Sequence, residues 1–239
     1  MHQVNRLKVI AFPYAIGNAN AFNDYKEFVR NDFEVIAHEY PGHGSRFLEP
    51  CLKTIEDMAM DAYENIKDKI DGAYIILGYS MGSLVCYELL RIIEKEHKRM
   101  PIAAFFMASE SPGTEPVFRD CDNMNLEQVR ELLVSMEGTP KEVIESDEMI
   151  SLLSNIVKSD YGAIERYEPE LTMLPKASSY YVIRGDREEY PSEEMMGWGI
   201  VCGENCKFIE FSGSHFFLFD DEKNMIKLYE LMKKTSGII

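Results

Sequence analysis

The apolar pattern of this chain predicts an α/β fold with a mostly parallel sheet, and three observations carry the prediction. Short runs of strand-forming residues alternate with segments of helical period along most of the sequence. One run, residues 74–77, delivers the chain straight into Gly78-Tyr79-Ser80-Met81-Gly82, after which Leu84, Val85, Leu89, Ile92 and Ile93 recur at helical spacing. A late run over 206–211 ends in a glycine-flanked loop that carries His215. At 239 residues with 46% hydrophobic residues, and with no Ser/Gly/Pro-rich linker, a single domain over 1–239 is expected.

Taken in order, residues 7–12 read as a buried strand ending in Pro13-Tyr14-Ala15-Ile16-Gly17-Asn18, followed by a helix over 20–30 and a strand over 33–38. Strand, loop, helix, strand is the signature of a parallel unit, and the loop leaving such a strand lies at the ligand-binding edge of the sheet. Small residues at Ala15 and Gly17 let backbone amides face a site there. Residues 40–50 (Tyr40-Pro41-Gly42-His43-Gly44-Ser45-Arg46-Phe47-Leu48-Glu49-Pro50) form a long irregular loop that turn chemistry alone does not require. A helix over 54–70 starts with Thr54 and Asp57 spaced as a capping box, the elbow strand and a helix reaching 98 follow, and 102–108 is the next strand. From 109 to about 175 the period is helical. Asn125 and Gln128 cap a helix that Gly138-Thr139-Pro140 breaks, and further helical stretches cover 143–156 and 159–167. A crossover needs about a dozen residues, so 109–175 is expected to be a helical lid over the active edge. Its Leu132, Leu133, Met136, Ile150, Leu153 and Ile156 are expected to line an apolar pocket. A strand over 179–184, a short helix with the only tryptophan, Trp198, the strand over 206–211 and a helix over 221–234 complete a sheet with helices on both faces.

Composition excludes some function classes. A formal charge of −16 repels nucleic-acid phosphates and anionic membrane surfaces. Glu56, Asp57, Asp61, Glu64 and Asp68 are read as a solvated helix face. The apolar runs are far shorter than a membrane span, and the first residues enter a strand with no apolar signal region, so a cytoplasmic monomer is expected. Five cysteines fit no disulfide framework, and Cys202-x-x-x-Cys206 lacks the second Cys/His pair a metal centre would need; no metal and no cofactor are expected.

The pentapeptide Gly-x-Ser-x-Gly is weak as a pattern and strong in its placement between strand and helix. A tight turn there lifts the Ser80 hydroxyl above the sheet, and the flanking glycines let strand and helix approach. A serine hydroxyl is a poor nucleophile unless an imidazole takes its proton, and that imidazole must be held in one tautomer by an acceptor. His215 is the one histidine of five in a glycine-flanked loop after a late strand; His2, His38 and His97 read as surface or strand residues, and His43 lies in the proline-glycine loop. Ser80, an acid after one late strand, then His215 is the chain order of the α/β-hydrolase fold. That fold pairs the amide after the nucleophile, Met81, with one from the loop after the first strand, Ala15, as an oxyanion hole.

Phe12-Pro13-Tyr14-Ala15, Tyr40-Pro41-Gly42-x-Gly44-x-Arg46-x-x-Glu49-Pro50, Gly78-x-Ser80-Met81-Gly82, Glu137-Gly138-Thr139-Pro140 and Gly213-x-His215-Phe216-Phe217-Leu218 together resemble the type II thioesterases. These are stand-alone α/β hydrolases that accompany nonribosomal peptide and polyketide synthases, and the resemblance runs over about residues 7–234. It implies hydrolysis of acyl thioesters from the phosphopantetheine arm of an acyl or peptidyl carrier protein. Tyr79 stands where the family usually has histidine and His43 where it usually has arginine; neither position is read as carrying the chemistry. The family has Gly-x-x-Asp ten residues before a tryptophan, and the register to Trp198 chooses Glu188 as the acid. Asp186, shorter and two residues earlier, is the rival, and Glu110 after the strand at 102–108 is next. The elbow and histidine alone fit a small-molecule carboxylesterase or lipase equally well, and a non-catalytic binding protein of this fold is the third reading.

Overall fold

The computed structural model describes residues 6–136, 139–176, 178–188, 190 and 192–238. Its elements in order are β1 (Leu7–Phe12), α1 (Asn23–Val29), β2 (Phe33–Ala37), α2 (Ile55–Ile66), β3 (Tyr74–Tyr79), α3 (Met81–Lys95), β4 (Ala103–Met107), α4 (Leu126–Ser135), α5 (Lys141–Ile144), α6 (Asp147–Glu165), β5 (Ser179–Gly185), α7 (Ser192–Met196), α8 (Trp198–Cys202), β6 (Cys206–Phe211), α9 (Phe217–Asp220) and α10 (Glu222–Ser236). The strands form one sheet in the order β2-β1-β3-β4-β5-β6, with every neighbouring pair parallel. The central strands are buried on both faces, which is why they read as continuous apolar runs.

Side chains alternate between two cores, as the strand period demands. Ile10, Phe12, Tyr74 and Ile76 face α2, α3 and α8, whereas Val9, Ala11, Ile75 and Leu77 face α1 and α10. The chain moves from β1 outward to β2, then crosses back to β3 on the other side of β1. A crevice opens outside the carboxyl ends of the strands at such a reversal, and it lies between the loop after β1 and the elbow after β3.

Several elements differ from the sequence reading. Residues 20–30 split into a 3-10 turn, Ala19–Phe22, and α1. The helix expected over 54–70 ends at Ile66; Thr54 Oγ1 accepts from Asp57 N (3.1 Å) at its start. The Asn125 and Gln128 box closes in both directions, at 3.0 and 2.9 Å. Glu137 and Gly138 lie outside the described residues. The stretches 143–156 and 159–167 are largely one helix, α6, because Ser159 and Asp160 are buried and bonded to other parts of the chain instead of ending the helix. Helix α9, inside the His215 loop, had no sequence signal of its own.

Asp61 is not part of a solvated face. Arg46 reaches it with Nη1 to Oδ2 (2.7 Å) and Nη2 to Oδ1 (2.9 Å), while also holding both Glu49 oxygens and the Glu39 carbonyl. His38, buried beyond β2, stands 3.1 Å from Asp61 Oδ2. The proline-glycine loop is therefore knitted to α2 by one guanidinium, which gives its length a physical reason. Burial opposes the Asp61 charge, but His38 and Arg46 outweigh it and lower its pKa to about 2. A depressed carboxylate contributes stability above its unfolded pKa, and that contribution is lost as pH falls through the folded value. Lysine cannot reproduce the two-pronged grip, so Arg46→Lys is expected to cost about 2 kcal/mol and lower Tm by about 5 °C. Acid unfolding of that variant should begin at a higher pH than in the native chain; thermal melts across an acid pH series measure both effects.

Candidate active site

The elbow is built as steric necessity requires. A Cβ at Gly82 would stand 2.3 Å from Phe12 O and one at Gly78 would stand 2.4 Å from Gly82 O, so neither position admits a side chain. Ser80 itself has φ +52° and ψ −120°, a conformation that costs a non-glycine residue about 1–3 kcal/mol. The turn is held against that cost by Ser80 N donating to Met107 O (2.8 Å) and Ser83 N to Ser80 O (2.8 Å). Ser83 adds a clamp the sequence reading missed: its buried Oγ accepts from Met107 N at 3.0 Å and lies 3.0 Å from Gly78 O. Met81 is the first residue of α3, so its amide belongs to the open, positively polarised end of the helix.

The loop after β1 closes with Gly17 N donating to Tyr14 O (2.9 Å), and Ala15 within it is 7% exposed. Ile16 takes φ +67°, which a β-branched residue adopts only under constraint.

The structure brings His215 and Glu188 together. Nδ1 of His215 lies 3.0 Å from Glu188 Oε2; the glutamate side chain is 2% exposed and that of His215 38%. The second Glu188 oxygen is buried without a partner among the described residues. Asp186 points elsewhere: its Oδ1 accepts from Gly213 N (2.9 Å), and its side chain is 47% exposed. The turns after β5 and β6 run side by side, with Asp186 N on Phe211 O (2.8 Å) and Arg187 N on Gly213 O (3.0 Å). That register sets Asp186 against the start of the histidine loop, and the carboxyl two residues on, one methylene longer, reaches the ring. Glu110 follows β4 and is half-buried, next to Ser109, whose carbonyl accepts from Trp198 Nε1 (3.2 Å).

Tyr79 does more than fill space. Its hydroxyl donates to the backbone carbonyl of His215 at 2.7 Å, and burial pushes the phenol pKa well up, so it stays a donor. Its ring packs edge-on to the imidazole with centroids 6.3 Å apart. The residue before Ser80 thus fixes the loop that carries His215, a pairing across 136 residues with no local signal.

The segment between β4 and β5 has a small core of its own, in which Leu132, Leu133 and Ile150 are buried and against which Met136 and Leu153 pack. Of the six apolar residues expected to line a pocket, Ile156 lines a groove of about 370 Å³ with Gly42, Phe47, Pro50 and Leu152, between the proline-glycine loop and α6. All five cysteines are free thiols. Among the described residues, no cluster of His, Cys, Asp and Glu could hold a metal ion, and no helix is long and apolar enough to cross a membrane.

A parallel sheet with a strained serine turn after β3 and a histidine-carboxylate pair after β5 and β6 defines the α/β-hydrolase class. The sequence model of the thioesterase domain matches residues 7–232, so this chain belongs to the thioesterase family, hydrolases acting on acyl thioesters. It is 26% identical over 223 residues to the gramicidin S biosynthesis protein GrsT of Aneurinibacillus migulanus, covering 93% of this chain and 87% of that one. To the thioesterase PikA5 of Streptomyces venezuelae it is 27% identical over 221 residues, 90% of this chain and 76% of the other. Among solved structures, ClbQ from the colibactin pathway superposes with a TM-score of 0.85 at 23% identity, covering 98% of each chain. RedJ, a thioesterase from the prodiginine pathway of Streptomyces coelicolor, gives 0.83 at 19% identity over 96% of this chain and 90% of its own, which shows the shared fold.

Proposed function

We propose that this chain is a type II thioesterase that hydrolyses acyl groups from the phosphopantetheine arm of a carrier protein through an acyl-enzyme on Ser80. The observation that carries the reading is the His215–Glu188 contact at 3.0 Å on the same sheet edge as the strained Ser80 turn. His215 takes the Ser80 proton as Oγ attacks the thioester carbonyl, and Glu188 stabilises the imidazolium that forms. The Met81 and Ala15 amides hold the oxyanion of the tetrahedral intermediate. As the C–S bond breaks, the proton on His215 passes to the pantetheine thiol. Water, deprotonated by the same imidazole, then attacks the acyl-serine, releasing the carboxylic acid and restoring Ser80. Water is the only co-reactant this sequence needs.

We read segment 109–175 as the lid of this site, and the small core of its own formed by Leu132, Leu133 and Ile150 supports that reading. The five free thiols fit a reducing compartment, so we read the protein as cytoplasmic, acting as a monomer on its carrier.

Parallel incubation with an acyl-carrier protein, free acyl-pantetheine and a p-nitrophenyl ester tests the reading. Preference for the carrier-bound thioester is expected; equal or better turnover of the simple ester would make the chain a general esterase. The Tyr79 hydroxyl supplies one hydrogen bond to the His215 backbone, worth about 1 kcal/mol. Tyr79→Phe should therefore lower kcat roughly fivefold with KM unchanged, and steady-state kinetics on acyl-pantetheine measure it.

A further inference from the structure

We propose that Asp160 is a positioning residue for this chemistry: from the lid helix it fixes the peptide that follows Ala15 and so sets the oxyanion loop. The inference rests on the reading of the Ala15 amide as an oxyanion donor. Asp160 lies on α6, fully buried, 144 residues from the loop it touches. One oxygen does all its work, since Oδ2 accepts from Ile16 N at 2.7 Å and stands 2.9 Å from His43 Nε2. Oδ1 is buried with no partner among the described residues.

His43 shows which charges are present. Its Nδ1 lies 3.1 Å from Pro41 O, and a carbonyl can only accept, so Nδ1 carries a proton. Nε2 faces the carboxylate, so a fully bonded ring is an imidazolium. Burial opposes that charge, but the Asp160 hydrogen bond and charge, then Pro41 O and Glu39, outweigh it and raise the His43 pKa. A buried ion pair contributes little net stability compared with apolar packing of the same volume. What this one contributes is a carboxylate oxygen aimed at the Ile16 amide.

Ile16 needs such a hold. Its φ of +67° is disfavoured for a β-branched side chain, and the residue can relax out of it by rotating the peptide between Ala15 and itself. Two contacts oppose the rotation, and both come from the lid: the Asp160 bond to its amide, and the packing of its side chain against the cluster of α4 and α6. The lid helix is in turn fastened to the stretch just after the proline-glycine loop by Ser159 Oγ on Leu52 O and by Arg166 Nη2 on Lys53 O at 2.9 Å. Lid, loop and oxyanion turn thus meet at one carboxylate oxygen.

The test uses octanoyl-N-acetylcysteamine as substrate for the full chain. Asparagine Oδ1 has two lone pairs but no charge. It can face both donors only by leaving the buried His43 imidazolium uncompensated or, with a neutral ring protonated on Nε2, by giving up the Nδ1 bond to Pro41 O. Asp160→Asn is expected to lower kcat roughly 10²-fold with KM changed less than about threefold, because an oxyanion donor acts on the transition state. Adding Ile16→Gly, which takes positive φ without penalty, should restore kcat about tenfold in the Asp160→Asn background. A residue that merely stabilised the fold would lower Tm without a kcat-specific loss, and glycine would not rescue it. Native kcat in Asp160→Asn, a loss confined to KM, or no rescue by Ile16→Gly overturns the inference. Should Asp160→Asn fail to fold, amide exchange by NMR in the unaltered protein decides: the Ile16 amide is expected to be protected at least 10²-fold, and exchange at the rate of an open loop overturns the inference. Ser80→Ala in the same assay separates the two readings. If it remains active, the parent mechanism fails; if it is inactive while Asp160→Asn is native-like, only the positioning role fails.

Discussion

Ser80→Ala is expected to reduce hydrolysis of acyl-carrier protein by roughly 10⁵ to 10⁶-fold while the protein melts within a few degrees of the native chain. The large effect follows from the chemistry, since every productive step passes through the serine oxygen and neighbouring groups cannot supply a substitute nucleophile. The small effect on stability follows from the fold. The strained turn is fixed by backbone bonds from Ser80 N to Met107 O and from Ser83 N to Ser80 O, and by glycines whose replacement would drive a Cβ into Phe12 O or Gly82 O. None of these uses the Ser80 hydroxyl. Ser80→Gly, which relieves the positive φ, should match the loss of activity and melt at or above the temperature of the alanine variant. Mass spectrometry of the native chain after rapid quench with an acyl-pantetheine should find the acyl group on Ser80. Turnover by Ser80→Ala at near-native rate would place the nucleophile elsewhere.

Glu188→Gln is the second large effect, with an expected fall in kcat of roughly 10⁴-fold. The carboxylate sits at 3.0 Å from His215 Nδ1 in a buried position, so it meets the imidazolium charge in a setting where water screens little. The amide has no charge to oppose that imidazolium and can present an N–H where an acceptor is needed, favouring the wrong tautomer. Asp186→Asn, by contrast, can still accept from Gly213 N through its amide oxygen, and its side chain is half-exposed. It should retain activity within a few-fold of native. Measured side by side on one substrate, a crippled Asp186→Asn and a healthy Glu188→Gln would reverse the assignment, and two healthy variants would turn attention to Glu110.

Much of this site is legible in the amino-acid pattern alone. Elbow, strand runs and the His215 loop are local features: a strand buried on both faces must be apolar throughout, and a helix must repeat its apolar face. Glu188 was reachable by its register to Trp198, though sequence could not exclude Asp186, because the choice turns on how the loops after β5 and β6 align. Asp61 was misread because an acid on a helix reads as solvated until the guanidinium opposite it is known, and Arg46 arrives from a loop 15 residues away. Tyr79 and His43 were noted as departures without a role. Their partners, the His215 carbonyl and Asp160, lie 136 and 117 residues away along the chain.

The sequence by itself determined the layer architecture, the edge of the sheet where chemistry belongs, and the serine and histidine expected to perform it, because each is written in short-range pattern. Only the tertiary structure decided which carboxylate meets His215, that Tyr79 bonds the backbone of its loop, and that Asp160 on α6 bonds the Ile16 amide. The physical reason is that a buried polar group takes whichever partner the packing of distant segments brings within about 3 Å, and no periodicity records that meeting.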